Sequence, residues 1–298
     1  MFVLAHLSDP HLSPLPQPRW SELIGKRATG YINWRRKRRL IHRPEVLARV
    51  VQDLKASAPD HIAVTGDLVN ISLAHEYAPA RAFLESLGSA RDVTLVPGNH
   101  DLYVRGADGH FRLHWGDYMR GEDGGRHDPA DFPFMRRCGS LALIGLSSAV
   151  PTAPFLATGR LGKTQIDRLA GLLERARGEG RFRVVLLHHP PRGSRRRHFM
   201  RLIDTPILQA ALERHGAELL LHGHDHVRSI IYLPGPHSRI PAVGVPSASQ
   251  VPQAEDGPAG YNLYRISGQP GDWHCELSAR VLSADGEVVT EVERRELY

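Results

Sequence analysis

The chain has 298 residues, 41% of them hydrophobic and 23% charged, the profile of a soluble globular protein long enough for a large α/β domain. That apolar share excludes a disordered chain, and no apolar run approaches the ~18 residues of a helical membrane span. Two cysteines, Cys138 and Cys275, make no disulfide framework, and the opening MFVLAHLSDPH lacks the basic flank and apolar stretch of a secretory leader, so a reducing cytoplasm is expected. The formal charge is +6, yet residues 19–43 hold nine cations against one anion, Glu22. That segment is +8 and the rest of the chain sums to −2. Basicity so localised points to an anionic partner, such as a phosphate ester, a lipid headgroup or a nucleic acid.

In chain order, short apolar runs alternate with helical patterns. Residues 3–7 read as a buried strand ending in Ser8-Asp9-Pro10-His11. Residues 44–57 read as a helix, with Pro44 in the first turn and Val46, Leu47, Val50, Val51 and Leu54 on one face. Residues 62–64 form a second strand, ending in Thr65-Gly66-Asp67; residues 75–87 form a second helix; residues 93–96 form a third strand, ending in Pro97-Gly98-Asn99-His100-Asp101. The Gly/Asp-rich residues 116–131 read as a loop or insertion. Residues 141–146 are a further strand, 165–177 a helix, 184–187 a strand ending in His188-His189-Pro190, 206–215 a helix closed by Gly216, and 219–221 a strand ending in Gly223-His224-Asp225-His226. The pattern then changes to three strands, at 261–266, 274–282 and 287–294, the last two joined through Ala284-Asp285-Gly286. Strand–helix alternation argues an α/β core, with no internal repeat and no linker, hence a single domain over residues 1–298.

Five of these strands end in groups that bind metals. Asp9, His11, Asp67, Asn99, His100, His188, His189, His224 and His226 combine carboxylates, imidazoles and an amide, donors suited to borderline divalent ions. In open α/β sheets, sites form at the carboxyl edge of the strands. Each element alone is weak, since a histidine at a strand end is more often a satisfied structural residue. Five in this order are specific, and the ligands suffice for two ions sharing Asp67.

These motifs resemble those of the calcineurin-like metallophosphoesterases, over residues 9–226. The resemblance implies a four-layer α/β/β/α sandwich with a di-metal site, here carrying a basic insertion near residues 19–43. It implies that Asp9, His11, Asp67 and His226 hold one ion and that Asp67, Asn99, His188 and His224 hold the other, with manganese, iron or zinc as candidates. Two cations ~3.5–4 Å apart clamp a phosphoryl group and turn a bridging water into hydroxide. His100, next to the ligand Asn99, would be the catalytic acid for the leaving group. The second motif often reads Gly-Asp-x-x-Asp in this family; here Asn70 replaces the last aspartate, leaving a hydrogen-bond acceptor for His100 but no charge, a role that Asp101 could fill instead.

The shared chemistry does not fix the substrate. Residues 19–42 mix cations with Trp20, Tyr31, Trp34 and aliphatics, the composition of an interfacial element or an anion-binding lid, with a short helix expected around residues 31–40. Arg192 and Arg195 begin a second basic cluster after the fourth motif and are candidate substrate-binding groups. The leading expectation is a phosphodiesterase for a cyclic nucleotide or glycerophosphodiester. The alternative resembles the UDP-diacylglucosamine pyrophosphohydrolases of lipid A synthesis, peripheral at the inner membrane face through residues 19–43. A nuclease or nucleic-acid-binding protein ranks last, because no nucleic-acid module is present.

Overall fold

Alternation along the strands of one sheet shows how the layers are built. In β5 (Leu141–Gly145), β6 (Phe182–Leu186) and β7 (Leu219–His222), Leu141, Leu143, Val184, Leu186, Leu219 and Leu221 join one apolar core, while Ala142, Ile144, Val185 and Leu220 join another. Side chains alternate across a strand, so runs apolar at every position are buried on both faces. The computed structural model describes residues 1–121, 132–192 and 198–298. It places β4 (Phe134–Cys138), β5, β6, β7, β9 (Ile240–Gly244) and β8 (Ser229–Leu233), in that spatial order, in one sheet. The other sheet runs β12 (Val289–Glu296), β11 (Asp272–Leu282), β10 (Gly260–Gln269), β1 (Phe2–Leu7), β2 (His61–Val64), β3 (Val93–Leu95). The sheets meet face to face in the larger core, where the Phe182 ring lies 5.5 Å from Trp273.

Helices cover the outer faces. α6 (Lys163–Gly178) and α7 (Thr205–His215) bury Ile166, Leu169, Leu173, Leu208 and Leu212 against the second core. α3 (Pro44–Ala56), α4 (Tyr77–Leu87) and α5 (Asp108–Trp115) pack on the other sheet. The result is the expected four-layer arrangement. β1, β2 and β3 run parallel, as do β5, β6, β7 and β9, so the carboxyl ends of β1, β2, β3, β6 and β7 converge on one edge.

Several elements depart from the expectations. β4, β8, β9 and α5 add to the sequence reading, and β12 begins two residues later than expected, after a turn in which Ser283 N–H reaches the Val288 carbonyl at 2.8 Å. Residues 116–119 form a short 3-10 turn, and residues 122–131 of the expected loop lie outside the described residues. The basic segment is helical earlier than expected: α1 (Lys26–Asn33) continues through a π-helical turn (Trp34–Arg38) into a last short turn, α2 (Arg39–Ile41). It is docked, not free. Lys26 Nζ donates to Thr152 Oγ1 at 2.6 Å, Arg27 donates to the Ile71 and Ser72 carbonyls, and Tyr31 and Trp34 pack against a small core of Leu15, Ile71, Leu73 and Tyr103.

Gly66 sets a loop at the converging edge, and Gly271, in the β10–β11 hairpin at the opposite end of the sheet, makes a control for it. Gly66 has φ +91°, and a Cβ there would lie 2.3 Å from the Gly98 backbone nitrogen. Gly271 has φ +86° with open space around it. Gly66→Ala is therefore expected to cost clearly more than the ~1–3 kcal/mol of a left-handed non-glycine residue alone, and Gly271→Ala about that amount. Urea unfolding checks this; equal losses would show that the Gly66–Gly98 approach is not tight.

Candidate metal centre

Eight non-glycine residues have positive φ among the described residues, and five of them are Asp9, His11, Asp67, His224 and His226. Left-handed backbone is tolerated best by aspartate, asparagine and histidine and gathers at functional sites. The sharp turns it makes after β1, β2 and β7 aim these side chains inward. Asp101, buried, holds the second and third loops together: its carboxylate accepts the N–H groups of Gly98 and Asp67 through Oδ2 and those of Leu68 and Val69 through Oδ1, at 2.8–3.2 Å. Asp101 thus faces backbone and does not stand in for the missing charge at Asn70.

The expected ligands come together as overlapping groups. Asp9, His11 and Asp67 lie within 4.8 Å of one another by their ligand atoms, and so do Asp67, His188 and His224. Asp67 is common to both. His226 Nε2 is 3.2 Å from Asp9 Oδ1 and 3.2 Å from His11 Nε2. Asn99 Oδ1 is 3.1 Å from His188 Nε2. The structure adds His42, which the sequence reading missed: its buried ring stands 4.6 Å from that of His11 and it joins His11 and His226 in a third group. Its Nδ1 is 2.9 Å from Ser249 Oγ.

The histidine tautomers fix what the cluster can hold. His188 Nδ1–H donates to the Thr65 carbonyl at 2.6 Å, His224 Nε2–H to the Met200 carbonyl at 3.0 Å, and His11 Nδ1–H to the Val69 carbonyl at 3.3 Å. In each neutral ring the other nitrogen then presents a lone pair to the cluster. Yet His188 Nε2 and His224 Nδ1 stand 3.2 Å apart, and the buried Asp9 Oδ1 has no hydrogen-bond donor although His226 Nε2 is near. Lone pairs this close repel unless a cation lies among them. The local field favours positive charge at this point, as a proton on His188 or as a cation in its place: burial disfavours charge on the ring, but Asp67 and Asp9 override it and raise its pKa to about 10. Burial presses the Asp67 carboxyl upward, yet His188 and His100 hold it well below the usual carboxylate range. The donor set, carboxylates and imidazoles with one amide oxygen, fits two borderline divalent ions.

Other expected residues are placed differently. His189 uses both ring nitrogens, on Ser148 Oγ at 2.8 Å and the Ala157 carbonyl at 3.0 Å, so His188 is the one that reaches the cluster. His100 is buried, its Nδ1–H bonded to the backbone carbonyl of Asn70 rather than to the side chain. Asn70 Nδ2 instead donates to the Leu12 carbonyl at 2.8 Å. Arg38 Nη2 donates to His100 Nε2 at 2.7 Å. Burial, then Arg38, pushes the His100 pKa down to about 3. In this arrangement the Nε2 lone pair of His100 is taken by Arg38. Arg192 is exposed, its charge felt at Asp225 and His222 beside His224; Arg195 lies outside the described residues.

The family model of the calcineurin-like phosphoesterases matches residues 2–228, and the chain belongs to that family. No curated protein matches it in sequence. Its fold is similar to that of a dimetal phosphatase from Danio rerio, at a TM-score of 0.65 and 11% identity, over 99% of this chain and 98% of that one. It is also similar to the purple acid phosphatase PPD1 of yellow lupin, at a TM-score of 0.61 and 14% identity, over 99% of this chain and 53% of the lupin chain. At these identities the likeness concerns the fold.

Divalent ions are expected to stabilise the protein. Saturating manganese at about 100 times its dissociation constant adds about 2.7 kcal/mol per site, read as a rise in Tm. Asp67→Asn, which removes the carboxylate common to both groups, should abolish most of that rise; a full rise in the variant would place the ions elsewhere.

Proposed function

We propose that the protein is a di-metal phosphodiesterase acting on a small anionic diester of the cyclic-nucleotide or glycerophosphodiester type. The observation that carries the reading is the meeting of lone pairs around Asp67: two ligand groups sharing one carboxylate, the arrangement that in-line phosphoryl displacement needs. Asp9, His11, Asp67 and His226 would hold one ion, with His42 adjoining; Asp67, Asn99, His188 and His224 would hold the other. When bound, such ions neutralise phosphoryl charge and supply hydroxide at neutral pH. The chain's own residues set the geometry: the carbonyls of Thr65, Val69 and Met200 orient the imidazoles, and Asp101 fixes the Asp67 loop. His100 keeps its place beside the cluster as a positioning group, given its bonds to Asn70 and Arg38. Manganese, iron and zinc all suit these donors.

A second reading keeps the chemistry and changes the substrate: a diphosphate ester of the UDP-diacylglucosamine type, met at a membrane surface. Trp20 is 90% exposed, Ile24 75% and Phe155 81%, and Lys26 links the segment carrying the first two to the loop carrying the third through Thr152. Arg35, Arg36, Lys37 and Arg39, further along the same segment, are exposed as well. No helix among the described residues is long and apolar enough to cross a membrane, so the contact would be peripheral, each cation near an anionic bilayer contributing about 1 kcal/mol. Nucleic acid is the least favoured partner.

The metal-loaded protein is expected to hydrolyse bis-nitrophenyl phosphate faster than nitrophenyl phosphate. Preference for the monoester would overturn the diesterase reading. In sedimentation with anionic vesicles, the Trp20→Ser/Ile24→Ser/Phe155→Ser variant should bind at least tenfold more weakly than wild type if the second reading holds. Absence of wild-type binding would remove that reading and leave the first.

A further inference from the structure

Five consecutive cations, Arg35 to Arg39, occupy the π-helical turn and its exit. Four stay exposed, while Arg38 turns inward and is partly buried. Its Nη2 lies 2.7 Å from His100 Nε2 and its Nη1 3.1 Å from Nδ1 of the same ring. No carboxylate stands within ion-pair distance of it among the described residues. The ring it contacts lies 5.0 Å from that of His11, which puts the guanidinium at the edge of the ligand cluster, and Asp67 foremost supports its charge against burial. A half-buried cation with one neutral ring for a partner keeps donors free to take an anion.

The scaffold holds it there. The His100 ring stacks on Tyr103, with centroids 5.1 Å apart, and Lys26 Nζ sits over the other ring's centroid at 4.3 Å. Gly30 lets α1 lie directly on Tyr103, since a Cβ at that position would fall 2.6 Å from the hydroxyl. The π-helical turn, a rare widening of the helix that gathers at functional sites, then brings Arg38 over His100. A guanidinium fork matches the oxygens of a phosphoryl group in geometry and charge.

We propose that Arg38 is a substrate-binding residue that grips a non-bridging phosphoryl oxygen at the cluster edge, with His100 as the residue that positions it. The basic insertion thereby contributes directly to the site rather than merely covering it. The inference rests on the phosphoester reading, which supplies the phosphoryl group.

The test is calorimetric binding of inorganic phosphate to the manganese-loaded full chain. Arg38→Gln is expected to weaken phosphate at least tenfold, the value of about one charge-assisted hydrogen bond. Arg38→Lys, which keeps the charge and loses the fork, should recover part of that loss. Arg36→Gln removes the same charge from an exposed neighbour and should change affinity less than twofold. Metal content and Tm of each variant are measured alongside, and Arg38→Lys carries the test if Arg38→Gln is unstable. Equal effects of Arg36→Gln and Arg38→Gln, or none from either, would overturn the proposal. Because the readout is binding, the two claims separate. A wild-type protein that hydrolyses no ester yet shows the Arg38 contrast sinks the esterase reading alone, and active protein whose phosphate affinity ignores Arg38 sinks this inference alone.

Discussion

Everything at the carboxyl edge of the sheets answers to one constraint: buried lone pairs from three imidazoles and two carboxylates are held closer together than they would tolerate without a positive charge among them. His188 Nε2 and His224 Nδ1 at 3.2 Å, each with its other nitrogen committed to a backbone carbonyl, state the constraint most sharply. The left-handed residues, the Gly66–Gly98 approach and the four amides gathered by Asp101 are the structural means of imposing it. Each is costly or demanding by itself. Together they make sense as preorganisation, in which folding energy from two apolar cores holds ligands in place before any ion or substrate arrives.

The same constraint explains the layer architecture. A cluster drawing on β1, β2 and β3 from one sheet and β6 and β7 from the other requires both sheets to end at a common edge. Parallel pairing within each sheet provides that edge, and burial on both faces provides its rigidity. The antiparallel strands β10, β11 and β12 extend one sheet away from the site and carry no candidate ligand. Their near neighbour in sequence, the segment 247–250, does contribute, through Ser249 beside His42 and Gln250 on the His226 carbonyl.

Much of this was legible in the sequence because burial on both faces writes itself as continuous apolar runs, and because chemistry-bearing residues follow those runs directly. What escaped did so for physical reasons. β4 reads Phe-Met-Arg-Arg-Cys, and its strand character depends on Arg136 finding carbonyl partners at Ala90, Val93 and Arg120, which no local pattern announces. β9 carries Pro241 and Gly244, ordinarily signs of a turn. Arg38 is indistinguishable from its cationic neighbours until Gly30 seats the helix on Tyr103. His42 closes a basic run and gives no metal-binding spacing. At Asn70 the residue type suggested a side-chain bond to His100, whereas the backbone carbonyl makes it, a choice set by loop path and not by composition.

The account stands on two cations flanking Asp67. Anomalous diffraction from crystals of the manganese-loaded protein tests this most directly. Two peaks are predicted, one among Asp9, His11 and His226 and one among Asn99, His188 and His224, with Asp67 touching both. A single peak, or peaks remote from Asp67, would contradict it.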